Sequence, residues 1–148
     1  MLCYHTSEMS CPYFEPIEPN PRSGAASLPL LPLGGAWSGI CHATPAPQEP
    51  QDAGLERICN LGYARGVCPR FPAGDPGPDA ARFSLTADEG GSLRIYYVLE
   101  RDHQPFAHGP VEFVIAQGSL TGAPAGELTA RQASAYAASY LRTKAAAL

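Results

Sequence analysis

Five cysteines, Cys3, Cys11, Cys41, Cys59 and Cys68, are the residues of this 148-residue chain best suited to chemistry, and all of them precede the orderly second half. The last four are spaced C-x29-C-x17-C-x8-C. A thiolate is a nucleophile and a soft metal ligand. Four thiolates brought from distant parts of a chain are what a cubane iron–sulfur cluster needs, because the cluster itself ties the loops together. Small residues beside the ligands let backbone N–H groups approach the sulfurs and tune the potential. Gly35, Gly39, Gly62 and Gly66 stand where they could do this. A thiolate-ligated cluster is anionic, so neighbouring cations are favourable. Arg57, Arg65 and Arg70 flank the stretch "CNLGYARGVCPRFP" that holds Cys59 and Cys68. Trp37, four residues before Cys41, is expected either to shield the centre from water or to anchor its segment by apolar burial.

Zinc is the alternative metal, although the chain lacks the C-x-x-C knuckle common in structural zinc sites. A further alternative has no metal at all, since unligated cysteines are ordinary small core residues. Cys3 is read as a free thiol or a substitute for Cys11. His42, next to Cys41, is expected to be a surface histidine rather than a ligand. His103 and His108 are expected to belong to a turn, Tyr96 and Tyr97 to strand packing, and Glu100 and Asp102 to a strand end running into a polar loop.

The elements around these residues fall into two halves of one domain. Of the 16 prolines, 13 lie at or before Pro78. Each removes a backbone donor and fixes φ, so residues 1–78 are expected to be an irregular Pro/Gly-rich half organised around a metal centre. One short helix is expected there, with Asp52 as N-cap, Cys59 in its last turn and Gly62 beyond it. Residues 79–148 alternate cleanly. Strands are predicted at 81–87, 92–100 and 111–116, with "DEGG" as a turn and "RDHQPFAHGP" as a loop. A helix is predicted from Glu127 to about Lys144, with Ala133, Tyr136, Ala137, Tyr140 and Leu141 as its apolar stripe. The expected fold class is α+β: an irregular metal-binding half, a three-stranded antiparallel sheet and a C-terminal helix backing it.

Composition narrows the function. Hydrophobic residues make up 45% and charged residues 16%, as in a globular domain. The net charge of −4 and the scattered cations argue against nucleic acid. "LPLLPLGGAW" is too short and Pro-broken to span a bilayer, and "MLCYHTSEMSCPYFEP" does not read as a secretory signal. A cytoplasmic setting is therefore expected, where thiols stay reduced. No nucleophile elbow, phosphate loop or dinucleotide fingerprint is present, which favours a role other than catalysis.

"CPYFEP", "LPLGGAWSGIC", "CNLGYARGVCPRFP" and "LRIYYVLERDH" together resemble a family of small, largely uncharacterised bacterial proteins with a four-cysteine iron–sulfur site. The resemblance covers Cys11 to His103. It implies that Cys11, Cys41, Cys59 and Cys68 are that family's cysteines and implies nothing about a substrate.

The expected function is that of a small iron–sulfur protein, with a 4Fe–4S centre, acting in one-electron transfer or redox sensing with a protein redox partner. The alternative is a structural Fe–S or zinc module used as a protein-interaction domain. An enzyme using a cluster iron as Lewis acid would need an open coordination position, hence only three cysteine ligands.

Overall fold

The computed structural model describes residues 9–20, 31–44, 46–47, 59, 68, 70–72, 74, 76–121 and 126–146. It is mostly β. Two antiparallel sheets and one C-terminal helix make up the described elements. The first sheet pairs β1 (Phe14–Pro19) with β2 (Trp37–Cys41). The second has the order β3 (Ala80–Asp88), β4 (Ser92–Arg101), β5 (Gln104–Val114), β6 (Ser119–Thr121). The helix α1 spans Glu127–Ala146.

The expectation of an α+β fold with a three-stranded sheet is thus corrected in two places. The Pro-rich half is not wholly irregular, because it supplies the ribbon β1–β2. Pro16 and Pro19 hid β1 from a reading by pattern, yet each sits in a two-stranded ribbon, where proline is tolerated. A fourth strand, the three-residue β6, also closes onto β5. The segment read as the loop 101–110 is mostly strand. Its turn is only Asp102 and His103, both left-handed at φ 52° and 64°, the geometry that a two-residue hairpin requires. Pro105 and Pro110 fit within β5 because β6 reaches only Glu112–Val114, so both prolines lie where β5 is an edge.

The strands β3 and β4 follow their patterns, and the helix keeps its predicted span. Of its expected stripe, Ala133 and Ala137 are buried and Tyr136, Tyr140 and Leu141 half-buried, while Gln132, Ala135 and Ser139 outside the stripe are also buried. Leu93, Ile95, Tyr97 and Leu99 of β4 are buried on one face with Phe83 of β3 and Val111 and Phe113 of β5. The helix lays Ala133 and Ala137, both at 0% exposure, against this core. Tyr136 stacks beside Phe83 at 6.1 Å, and the Leu85 amide donates to its hydroxyl at 3.1 Å. Small residues on α1 allow close approach, and the helix touches both sheets. The stretch from Asp52 to Gly62 lies outside the described residues apart from Cys59, whose backbone is helical. No helix among the described residues is long and apolar enough to cross a membrane.

Candidate metal centre

Two of the cysteines open the same tetrapeptide, C-P-x-F: Cys11 to Phe14 and Cys68 to Phe71. Proline presets the φ of the second position of a turn. Cys11–Phe14 closes as such a turn, with Phe14 N–H donating to Cys11 O, and Phe71 N–H donates to Cys68 O at the same spacing, each at 3.1 Å. Each turn drives its phenylalanine into the core, Phe14 at 0% exposure and Phe71 at 9%. The turns then meet: Tyr13 sits edge-on to Phe71, centroids 5.3 Å apart. This repeated tetrapeptide was the sequence signal that spacing alone passed over.

The other two cysteines join the same place. Cys11 N–H donates to Cys59 O at 3.2 Å. Cys41 ends β2 directly across from Phe14. The His42 amide donates to Tyr13 O at 2.9 Å, which holds the chain after Cys41 onto the first turn. Cys11, Cys41 and Cys59 are buried, Cys68 is half-buried, and all four are free thiols. Burial pushes the Cys11 thiol far up, and the charges of Cys59, Cys41 and Cys68 push it further, so each of the three lies within electrostatic reach of Cys11. Against this, the Tyr13 amide bonds Cys11 and favours its thiolate. The Ala43 amide donates to Cys41 Sγ at 3.4 Å. Each of these amides lies two residues beyond its cysteine. They supply the N–H contacts to sulfur that the glycines were expected to allow. Among the described residues, no three His, Cys, Asp or Glu side chains are grouped closely enough to hold a metal ion as they stand.

The residues expected around the site are placed as follows. Gly39 is buried, but its role is strand pairing: a Cβ there would lie 1.9 Å from Glu15 O of β1. Trp37 lies at the opposite end of β2 from Cys41, roughly 13 Å away at strand rise. Its Nε1 donates to Ser139 Oγ at 3.1 Å, and the Arg142 guanidinium lies 5.5 Å from its ring, so it anchors α1. Arg70 is half-buried within the Cys68 turn. Arg57, Arg65, Gly62, Gly66 and Cys3 lie outside the described residues. His42 bonds Glu15 at 2.7 Å, and Arg131 lies 3.5 Å from the same carboxylate. His108 faces Tyr96, its Nδ1 2.5 Å from the hydroxyl, while His103 occupies the turn.

Sequence reasoning missed one residue altogether. Gln132 of α1 is 1% exposed and reaches the first turn, where Nε2 lies 2.7 Å from both Cys11 O and Phe14 O. A lone glutamine in an Ala-rich helix carries no sequence signal for this.

Compared with protein-family models, curated proteins and solved structures, the chain matches none.

Proposed function

We propose that Cys11, Cys41, Cys59 and Cys68 hold a 4Fe–4S centre and that the protein transfers single electrons or senses redox state. The observation that carries this is the approach of four separate cysteine-bearing segments to the Cys11–Phe14 turn through backbone and ring contacts, with the sulfurs of Cys11 and Cys41 each facing an N–H donor. Such donors stabilise thiolate charge and set the potential of a bound cluster. The donor set fits: four free thiols, three buried and one half-buried, with Cys41 on a strand end and Cys59 on helical backbone. When bound, the centre would supply one reversible electron. The chain's own part is to hold the thiols, exclude water around Cys11, Cys41 and Cys59, and present the more exposed Cys68 side to a partner. Final closure of the thiols would accompany metal binding, because ligand loops of this kind fold with their metal. A reducing, cytoplasmic setting would keep the thiols available.

The burial of Cys11 and Cys59 in the same core cluster as the sheet and helix favours a second reading. There the metal, iron–sulfur or zinc, serves as a structural staple, and the fold is a protein-interaction module. A redox titration of the anaerobically purified protein separates the two. Reversible one-electron bleaching of the thiolate-to-iron absorption supports electron transfer or sensing. A colourless protein holding zinc supports the staple.

A further inference from the structure

We propose that Gln132 is a positioning residue for the Cys11 thiol, a proposal that rests on the metal-centre reading above. The geometry leaves its carboxamide one orientation. Carbonyls cannot donate, so the two acceptors, Cys11 O and Phe14 O at 2.7 Å, must face Nε2. The Ser10 hydroxyl, 2.8 Å from Oε1, must then donate to it. All three contacts are buried, Ser10 at 0% exposure and Gln132 at 1%. Ser10 is itself clamped to β3, its amide donating to Ala81 O at 2.7 Å and its carbonyl accepting from Ala81 N–H at 2.9 Å.

Both peptide groups of Cys11 are therefore held. Its N–H goes to Cys59 O, and its C=O accepts from Phe14 N–H and from Gln132. Only χ1 is left to aim the sulfur, and that choice is among a few staggered rotamers. The helix thus prepares the Cys11 turn before any metal arrives. A buried glutamine making three hydrogen bonds gives rigidity that apolar packing of the same volume would not.

The test compares the full-length wild type with Gln132→Met, which keeps volume and removes both donors. In metal-free, reduced protein, the alkylation rate of each cysteine is read by mass spectrometry. Cys11 in Gln132→Met should react about tenfold faster or more, as expected for the loss of buried hydrogen bonds, while Cys68 stays unchanged. In parallel, cobalt(II) affinity, followed by thiolate-to-metal absorption, should fall about 10- to 100-fold. Ser139→Ala, on the same helix but bonded to Trp37, controls for general loosening of α1 and should raise Cys11 reactivity less than Gln132→Met does. If Gln132→Met does not fold, Ser10→Ala tests the same clamp and should speed Cys11 in the same direction. Unchanged Cys11 reactivity, or an equal rise at every cysteine and in Ser139→Ala, would overturn the proposal. A selective rise at Cys11 in a protein that takes up no metal would support the clamp and remove the metal-centre reading on which its purpose rests.

Discussion

The amide of Cys11 donates to the carbonyl of Cys59 at 3.2 Å. This bond joins the turn before β1 to a helical residue near the far end of the Pro-rich half. With Phe71 of the Cys68 turn edge-on to Tyr13 and Cys41 across from Phe14, it brings all four cysteine-bearing segments to the Cys11–Phe14 turn. The first consequence concerns Cys59. Cys59→Ser should bind iron poorly and lose at least about 3 kcal/mol of stability in the metal-loaded state, because binding and folding are coupled there. Metal analysis beside a denaturant melt checks this. Full metal with unchanged stability would sink the assignment of Cys59 as a ligand.

Gly39 makes a separate prediction about the ribbon that carries Cys41. Any Cβ at this position would meet the Glu15 carbonyl at 1.9 Å, and that atom is backbone. Gly39→Ala should therefore force β1 and β2 apart and cost about 3 kcal/mol. Gly91→Ala, where an added Cβ meets nothing within 4 Å, should stay within about 0.5 kcal/mol of wild type. Equal melting midpoints for the two variants would contradict the register of the ribbon.

How much of this was legible in the sequence depended on which force dominated locally. Alternation placed β3 and β4 well, because one buried face sets their pattern, and the helical stripe gave the span of α1 but not its buried Gln132, Ala135 and Ser139. Proline obscured β1 and most of β5, since its usual message is irregularity and only the pairing partners show that these positions are edges. The grouping of Cys11, Cys41, Cys59 and Cys68 was suggested by their segregation into one half. Their mutual placement was not, as it depends on the two C-P-x-F turns meeting ring to ring. Gln132 and Ser139 were hidden because a buried polar residue is recognisable only with its partners in view.

Trp37 offers a direct optical report on the helix. It is the sole tryptophan, and its indole N–H ends on Ser139 Oγ. Ser139→Ala leaves that buried donor without its acceptor, which should cost about 1–3 kcal/mol. It should also shift Trp37 emission to the red as water reaches the indole. Unaltered emission and stability together would show that this bond does not hold α1 to β2.

The C-terminal turn of α1 should respond to pH. Lys144 and Tyr140 both donate to Asp88 Oδ2 at 2.7 Å, and the Gly90 amide donates to its other oxygen. The Lys144 bond first, then those of Tyr140 and Gly90, lower the Asp88 carboxyl to about 2 from an ordinary 3.8. A depressed carboxyl contributes stability above its unfolded value and loses it as pH falls through its folded value. The contribution should be intact above pH 4 and fade between about 4 and 2. Lys144 is raised by the same bond, so its share is present at neutral pH and is lost as alkaline pH passes its folded value. The groups are exposed, so salt should weaken both effects. Melting temperatures of wild type and Asp88→Asn across the acid range check this. The variant should lose less on acidification, and parallel curves would contradict the clamp.

The most direct test of the central claim is the iron and acid-labile sulfide content of protein purified without oxygen, taken with its absorption spectrum. About four iron and four sulfide per chain, in a brown protein, is the predicted result. A colourless protein that takes up no iron on anaerobic reconstitution would contradict it, and Cys11, Cys41, Cys59 and Cys68 would then be packing residues of the core.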